Sequence, residues 1–126
     1  MAFLGRRQST LLEAGFTSGK RFGDNLPSGP DFLRFDHAER AILLEIQTAK
    51  TDFQRTLVQR AVAVRGGEVR VATAEDLIVL KLIANRPQDQ IDLLGLVEIE
   101  DLDWEYIERA ATEWDVLATL RELRAR

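Results

Sequence analysis

The chain has 126 residues, of which 45% are hydrophobic and 30% charged, with a formal net charge of −4 and no cysteine. This length holds one domain around one core, and the missing thiols exclude disulfide scaffolds and thiolate zinc or iron–sulfur sites. No apolar run approaches the roughly 20 residues of a membrane helix, and the acidic balance offers no general field for nucleic acid.

In chain order, MAFLGRRQST places its arginines after its few apolar residues, the wrong order for a secretory signal, so a cytoplasmic protein is expected. Ser9–Ala14 reads as a short helix, about two turns from Arg6, that stops at Gly15. Phe16–Phe22 reads as a strand weakened by Ser18-Gly19. Asp24–Pro30 is rich in turn formers and reads as a loop. Phe32–Asp36 and Ala41–Thr48 form an expected antiparallel hairpin closed by residues 37–40. Alternation puts Phe32, Arg34 and Asp36 on one face and Leu33 and Phe35 on the other. The second strand is denser in apolar residues, which predicts the more central position.

Thr51 and Gln54 have capping-box spacing, opening a helix from Asp52 to about Ala61 with Phe53, Leu57 and Val58 inward. Val62–Val64, the Arg65-Gly66-Gly67 turn and Val69–Ala72 predict a second hairpin. After Thr73 everything reads as helix. Thr73 and Asp76 cap a helix ending near Asn85, and Pro87 opens the next, to about Val97. Asp101 or Asp103 caps a third, with Trp104, Ile107, Ala110, Ala111 and Trp114 on one stripe. A last helix, Val116–Arg124, groups Leu117, Leu120 and Leu123. Strands first and helices after predict an α+β fold.

One segment, EVRVATAEDLIVLKLIANRPQDQIDLL, resembles the block "strand, Ser/Thr-x-Glu-Asp-Leu, apolar-Lys-Leu, Arg-x-x-Asp-x-x-Asp" of the minimal nucleotidyltransferase-like proteins. These include abortive-infection type toxin transferases. LEIQTAKTDFQRTLVQRA is similar to the same family's third-carboxylate strand and following helix, which sets Glu45 at the third acidic position. The resemblance covers roughly Leu12–Leu96. It implies a small mixed or antiparallel sheet packed with C-terminal helices, as one truncated domain over residues 1–126. Active members carry a Gly-Ser turn and an Asp-x-Asp strand that hold divalent metals on the nucleotide phosphates. Here Ser18-Gly19 has the reverse order, no Asp-x-Asp follows it, and the chain is expected to begin after the catalytic hairpin. The one Asp-x-Asp, Asp101-Leu102-Asp103, reads as a helix cap.

Several single residues carry the remaining expectations. Lys81 sits in an apolar run and must reach water or meet a carboxylate, and Asp89 and Asp92 are the obvious partners. Their pairing reads as an ion pair tying helix to helix, while the resemblance implies a site role. Glu45 either faces solvent or lines a remnant cleft with Asp36 and Arg34, where Glu45 and Asp36 side by side would make a weak cation site. His37 reads as a turn residue. Arg21, Arg34 and Arg40 are a candidate anion-binding group.

The expected protein is a catalytically inactive nucleotidyltransferase-like binding or interaction module. It needs no cofactor and pairs as a homodimer that covers the sheet edge left by the missing hairpin. A nucleotide or protein partner is expected, and neither a membrane nor nucleic acid. The alternative is a divergent magnesium-dependent nucleotidyltransferase, or a toxin–antitoxin component. On that alternative Glu45, Lys81 and Asp92 are the catalytic candidates, Arg21, Arg34, Asp36 and Asp89 the ligand-binding ones, and Glu45 and Asp36 hold the metal.

Overall fold

One helix precedes a three-stranded antiparallel sheet, a second precedes a two-stranded one, and four helices close the chain, giving an α+β fold in which strands and helices are less cleanly separated than the sequence pattern predicts. The structure, a computed structural model, describes residues 2–17, 19–23 and 31–126. The expected Asp24–Pro30 loop and Ser18 lie outside the described residues. No described helix is long and apolar enough to cross a membrane. The chain divides into two compact units, Met1–Asp52 and Phe53–Arg126.

In the first unit, helix α1 spans Ala2–Glu13, longer than the two turns expected. It stops at Gly15, whose φ is +96°, a left-handed angle that glycine adopts without cost. A Cβ there would also lie 2.7 Å from His37 Nε2, so position 15 excludes a side chain twice over. Strand β1 covers only Lys20–Gly23, and Phe16 contributes an isolated bridge to His37. Strands β2 (Asp31–Asp36) and β3 (Leu43–Gln47) complete a three-stranded sheet in the order β1-β2-β3. The central strand is therefore β2, not β3 as apolar density predicts. Only alternate residues of β3 are shielded: Leu44 and Ile46 are half-buried while Leu43 is 53% exposed. Such alternation marks a sheet with one wet face.

Register fixes what each face carries. Arg34 is paired with Lys20 and Glu45, and Phe32 with Phe22 and Gln47, so these side chains share the outer face. Phe35, buried beneath the other face, packs its ring so close to Gly19 that a Cβ there would sit 2.6 Å away.

The second unit opens on helix α2, Asp52–Arg60. Phe53 is buried and Leu57 packs on the core, but Val58 is 59% exposed. One residue beyond Leu57 turns the helix by about 100°, off the buried stripe. Strands β4 (Val62–Val64) and β5 (Val69–Val71) form the expected hairpin, turned by a single 3-10 turn at Arg65–Gly67. Gly66 and Gly67 take φ of +83° and +92°, angles that favour glycine.

Helices α3 (Ala74–Ala84), α4 (Pro87–Leu96), α5 (Trp104–Glu113) and α6 (Leu117–Arg124) follow. The Thr73 hydroxyl accepts the Asp76 N–H at 3.1 Å, and Asp103 accepts from Tyr106 at 3.0 Å, so both expected caps form. The four helices bury Ile78, Val79, Leu82, Leu93, Ile107 and Leu120 around Phe53. Each fully buried aliphatic side chain there contributes about 1.5–3 kcal/mol. Trp114 meets Phe53 edge to face at 6.0 Å, and Trp104 lies under the Arg124 guanidinium at 4.0 Å. Both tryptophans belong to the rim of the helical core.

Candidate functional site

Two residues, Asn85 and Arg86, connect α3 to α4. Asn85 ends α3 in the left-handed conformation (φ +48°), its N–H donating to the Lys81 carbonyl at 2.9 Å. Asparagine tolerates that conformation better than most residues. Pro87 then starts α4 with its φ already helical. The reversal brings the outer turn of α3 against the first turn of α4.

Four charged groups converge there. Lys81 Nζ donates to Asp92 Oδ2 at 2.7 Å and to Asp89 Oδ1 at 3.3 Å. Asp89 also accepts the Arg86 backbone N–H at 3.1 Å and the guanidinium through Nε (2.7 Å) and Nη2 (3.2 Å). Gln88 donates to the second oxygen of Asp92 at 2.8 Å. Asp89 is 1% exposed, so its charge stays inside only because two cations and a helix N-terminus face it.

The acid–base consequences follow from those bonds. Arg86 above all, with its backbone N–H and Lys81, holds the Asp89 carboxyl below the usual range against the opposing pull of burial. The Lys81 ammonium holds Asp92 low in the same way, helped by Gln88. Lys81 is raised, chiefly by its bond to Asp92. All three stay charged near neutrality.

On the sheet of the first unit the picture differs. Arg34 donates from Nε (3.1 Å) and Nη2 (2.8 Å) to one oxygen of Glu45, its cross-strand neighbour, and its guanidinium rests on the Phe22 ring at 4.9 Å. Asp36 is opposite Leu43, so Asp36 and Glu45 are diagonal rather than side by side. Arg21 is opposite Leu33 and projects from the face away from Arg34. It pairs with Asp31 through Nε at 3.1 Å and Nη2 at 3.2 Å, and Lys50 approaches the same carboxylate at 3.7 Å. The sheet therefore separates Arg21 from Arg34. Arg40 lies in the turn with His37, whose Nδ1 accepts the Glu39 and Arg40 N–H groups at 3.1 and 3.0 Å. His37 Nε2 contacts the Ala14 carbonyl at 3.0 Å, where only the protonated nitrogen can bond. Both ring nitrogens hold backbone, as a turn residue requires.

Sequence reading assigned Asp76 only a capping role. It is fully buried, and its Oδ2 accepts from Arg60 Nε and the Thr73 hydroxyl, both at 2.9 Å. Its other oxygen accepts the Tyr106 hydroxyl. The Arg60 guanidinium lies 3.8 Å from the Tyr106 ring centre. Burial first, and then the bond to Asp76, push the Tyr106 phenol up to about 12. One carboxylate thus ties α2, α3 and α5 together. The signal was present: Asp76 directly precedes the apolar run Leu77–Leu80 and has to be satisfied inside.

A family model described as nucleotidyltransferase of unknown function (DUF6036) matches residues 31–125. The chain belongs to this family. No curated protein and no solved structure matches it. The match takes in β2, β3 and everything after them, hence both the Arg34–Glu45 pair and the Lys81 cluster.

Nucleotidyltransferases of the metal-dependent kind need oxygen ligands from several carboxylates around magnesium. Among the described residues no group of three or more Asp, Glu or His is placed to hold an ion. Both oxygens of Asp89 face cations, Asp92 is bonded on both oxygens, and Glu45 is bonded to Arg34. As arranged, Asp89 and Asp92 are turned to the chain's own cations, while Glu45 meets Arg34 through one oxygen.

Proposed function

We propose that this nucleotidyltransferase-family chain transfers no nucleotide and works as a binding or interaction module, in the form of a homodimer. The observation that carries the reading is the pairing of the family-like carboxylates with the chain's own cations: Asp89 and Asp92 with Lys81, Asp89 with Arg86, and Glu45 with Arg34. A carboxylate already neutralised this way must lose an ion pair before it can ligate a metal. The Lys81 group also has a sufficient structural role, because it pins α4 to α3. Apolar side chains left in water, such as Leu43 on β3, supply the motive for self-association.

A second reading is favoured by family membership itself: a divergent magnesium-dependent transferase using Glu45, Asp36, Lys81 and Asp92, alone or as a toxin–antitoxin component. One experiment decides between them. The purified protein is mixed with each nucleoside triphosphate and magnesium, and binding heat and pyrophosphate release are followed together. The module reading expects no pyrophosphate from any of the four. Release that disappears in Glu45→Ala would establish the transferase and end the module reading.

A further inference from the structure

A cavity of about 190 Å³ lies between α3, α4 and α6, half-open to solvent, and neither the Lys81 cluster nor the Asp76 network contributes to its wall. Protein interiors rarely leave a void larger than a water molecule, and an engineered cavity of about 150 Å³ lined by aliphatic side chains binds benzene. This cavity therefore has room for a small organic molecule. Its floor is apolar: Leu82 of α3 and Leu93 of α4 are each 2% exposed, and Leu123 of α6 is half-buried. One face of α6 and the turn after it carries Thr119, Glu122, Leu123 and Arg126 at three- and four-residue intervals. Asn85 and Gln90 complete the rim from the α3–α4 side, the Gln90 amide donating to Asn85 Oδ1 at 3.2 Å.

The charge on this wall is confined to two residues of opposite sign, Glu122 and Arg126. A glutamate four residues before a cation on a helix ordinarily pairs with it. No ion pair joins these two, and neither side chain has a partner among the described residues. We infer that the cavity binds a small zwitterion with an aliphatic body, an α-amino acid bearing a branched side chain. Its carboxylate would lie on Arg126, its ammonium on Glu122 and its side chain over Leu82, Leu93 and Leu123. The class follows from the lining. A simple anion would meet Glu122 as a like charge, and a simple cation would meet Arg126. A wholly apolar guest would strip water from both charges and from the Thr119 hydroxyl without replacing it. A zwitterion answers both charges, and its aliphatic body displaces water from the leucines. The neutral Asn85–Gln90 bridge adds no third charge. This assignment goes beyond the module reading, since it holds whether or not the chain transfers nucleotides.

Calorimetric titration of the full chain with L-leucine tests it. A ligand this small should bind with a Kd on the order of a millimolar or below. Isocaproate, which lacks the ammonium, and isopentylamine, which lacks the carboxylate, should each bind roughly tenfold more weakly or worse, and so should glycine, which lacks the side chain. Glu122→Gln should weaken leucine and isopentylamine but not isocaproate. Arg126→Gln should weaken leucine and isocaproate but not isopentylamine. Both side chains lie in exposed positions, so circular dichroism should be unchanged in either variant. Arg121→Gln, on the side of α6 away from the cavity, should bind leucine as wild type does. No binding of leucine at concentrations on the order of ten millimolar overturns the site. Equal binding of leucine, isocaproate and isopentylamine overturns it too, as does leucine binding that neither substitution alters. Tighter binding of free adenine than of leucine would give the cavity to a planar ligand and overturn the amino-acid assignment. Pyrophosphate release by wild type would end the module reading and leave a positive leucine result as it stands.

Discussion

Carboxylate–cation pairs occur in both compact units, and the Arg34–Glu45 pair of the sheet and the Asp76 and Asp89 groups among the helices stand at opposite extremes of exposure. On the sheet, Arg34 and Glu45 meet across strands in water, each with about two-fifths of its side chain exposed. In the helical unit, Asp89 and Asp76 are buried and every oxygen is spoken for. The bonds are of similar length, so geometry does not separate them. Surroundings do. A pair in water is screened and replaceable, whereas a charge in the interior depends on its partners absolutely.

The contrast breaks first at Asp76. Asp76→Ala strands Arg60 and Tyr106 and removes a helix cap, and should cost about 3–4 kcal/mol in chemical denaturation. A loss under about 1 kcal/mol would mean the network joining α2, α3 and α5 contributes little. Asp89→Ala comes next, at about 2–3 kcal/mol, since Lys81 keeps Asp92 but Arg86 and the start of α4 lose their acceptor.

The third test is acid and base titration of stability. Asp89 and Asp92 are held below their unfolded values. Their contribution is complete above the unfolded carboxylate pKa of about 3.9 and fades as pH falls through the folded values. Lys81 is raised, so its contribution is complete below about 10.4 and fades as pH rises through its folded value. The urea midpoint should therefore be flat across neutrality and fall at both ends. In Lys81→Met the alkaline fall should shrink, and an unchanged alkaline limb would remove Lys81 from the cluster's energetics. Smallest is Glu45→Ala on the sheet, expected within about 0.5 kcal/mol of wild type. A cost as large as that of Asp89→Ala would erase the distinction between the exposed and the buried pairs.

What the sequence made legible follows the same division between local and distant causes. The Thr73 cap, the end of α3 at Asn85, the start of α4 at Pro87 and the Gly66-Gly67 turn all depend on neighbours a few residues away, and all are where sequence reasoning places them. Lys81 was readable too, because its partners lie 8 and 11 residues on, across one short reversal. Asp76 was half readable. Its cap is local, but Arg60 and Tyr106 lie 16 and 30 residues away, and no spacing rule links them. The central place of β2 escaped because apolar density in β3 does not reveal how many neighbours a strand has. The separation of Arg21 from Arg34 needed the register of β1 on β2, which no local spacing rule supplies.

The two-residue reversal at Asn85–Arg86 has a kinetic consequence. It leaves so little chain between α3 and α4 that closing the Lys81–Asp92 contact costs little loop entropy. Contacts of short sequence separation form early. The α3–α4 hairpin is therefore expected to act as the nucleus of its unit, with α5 and α6 condensing on it. Refolding and unfolding rates would show this directly: Leu93→Ala should slow folding more than it speeds unfolding, and Leu120→Ala the reverse. Equal behaviour of the two variants would deny the hairpin its head start.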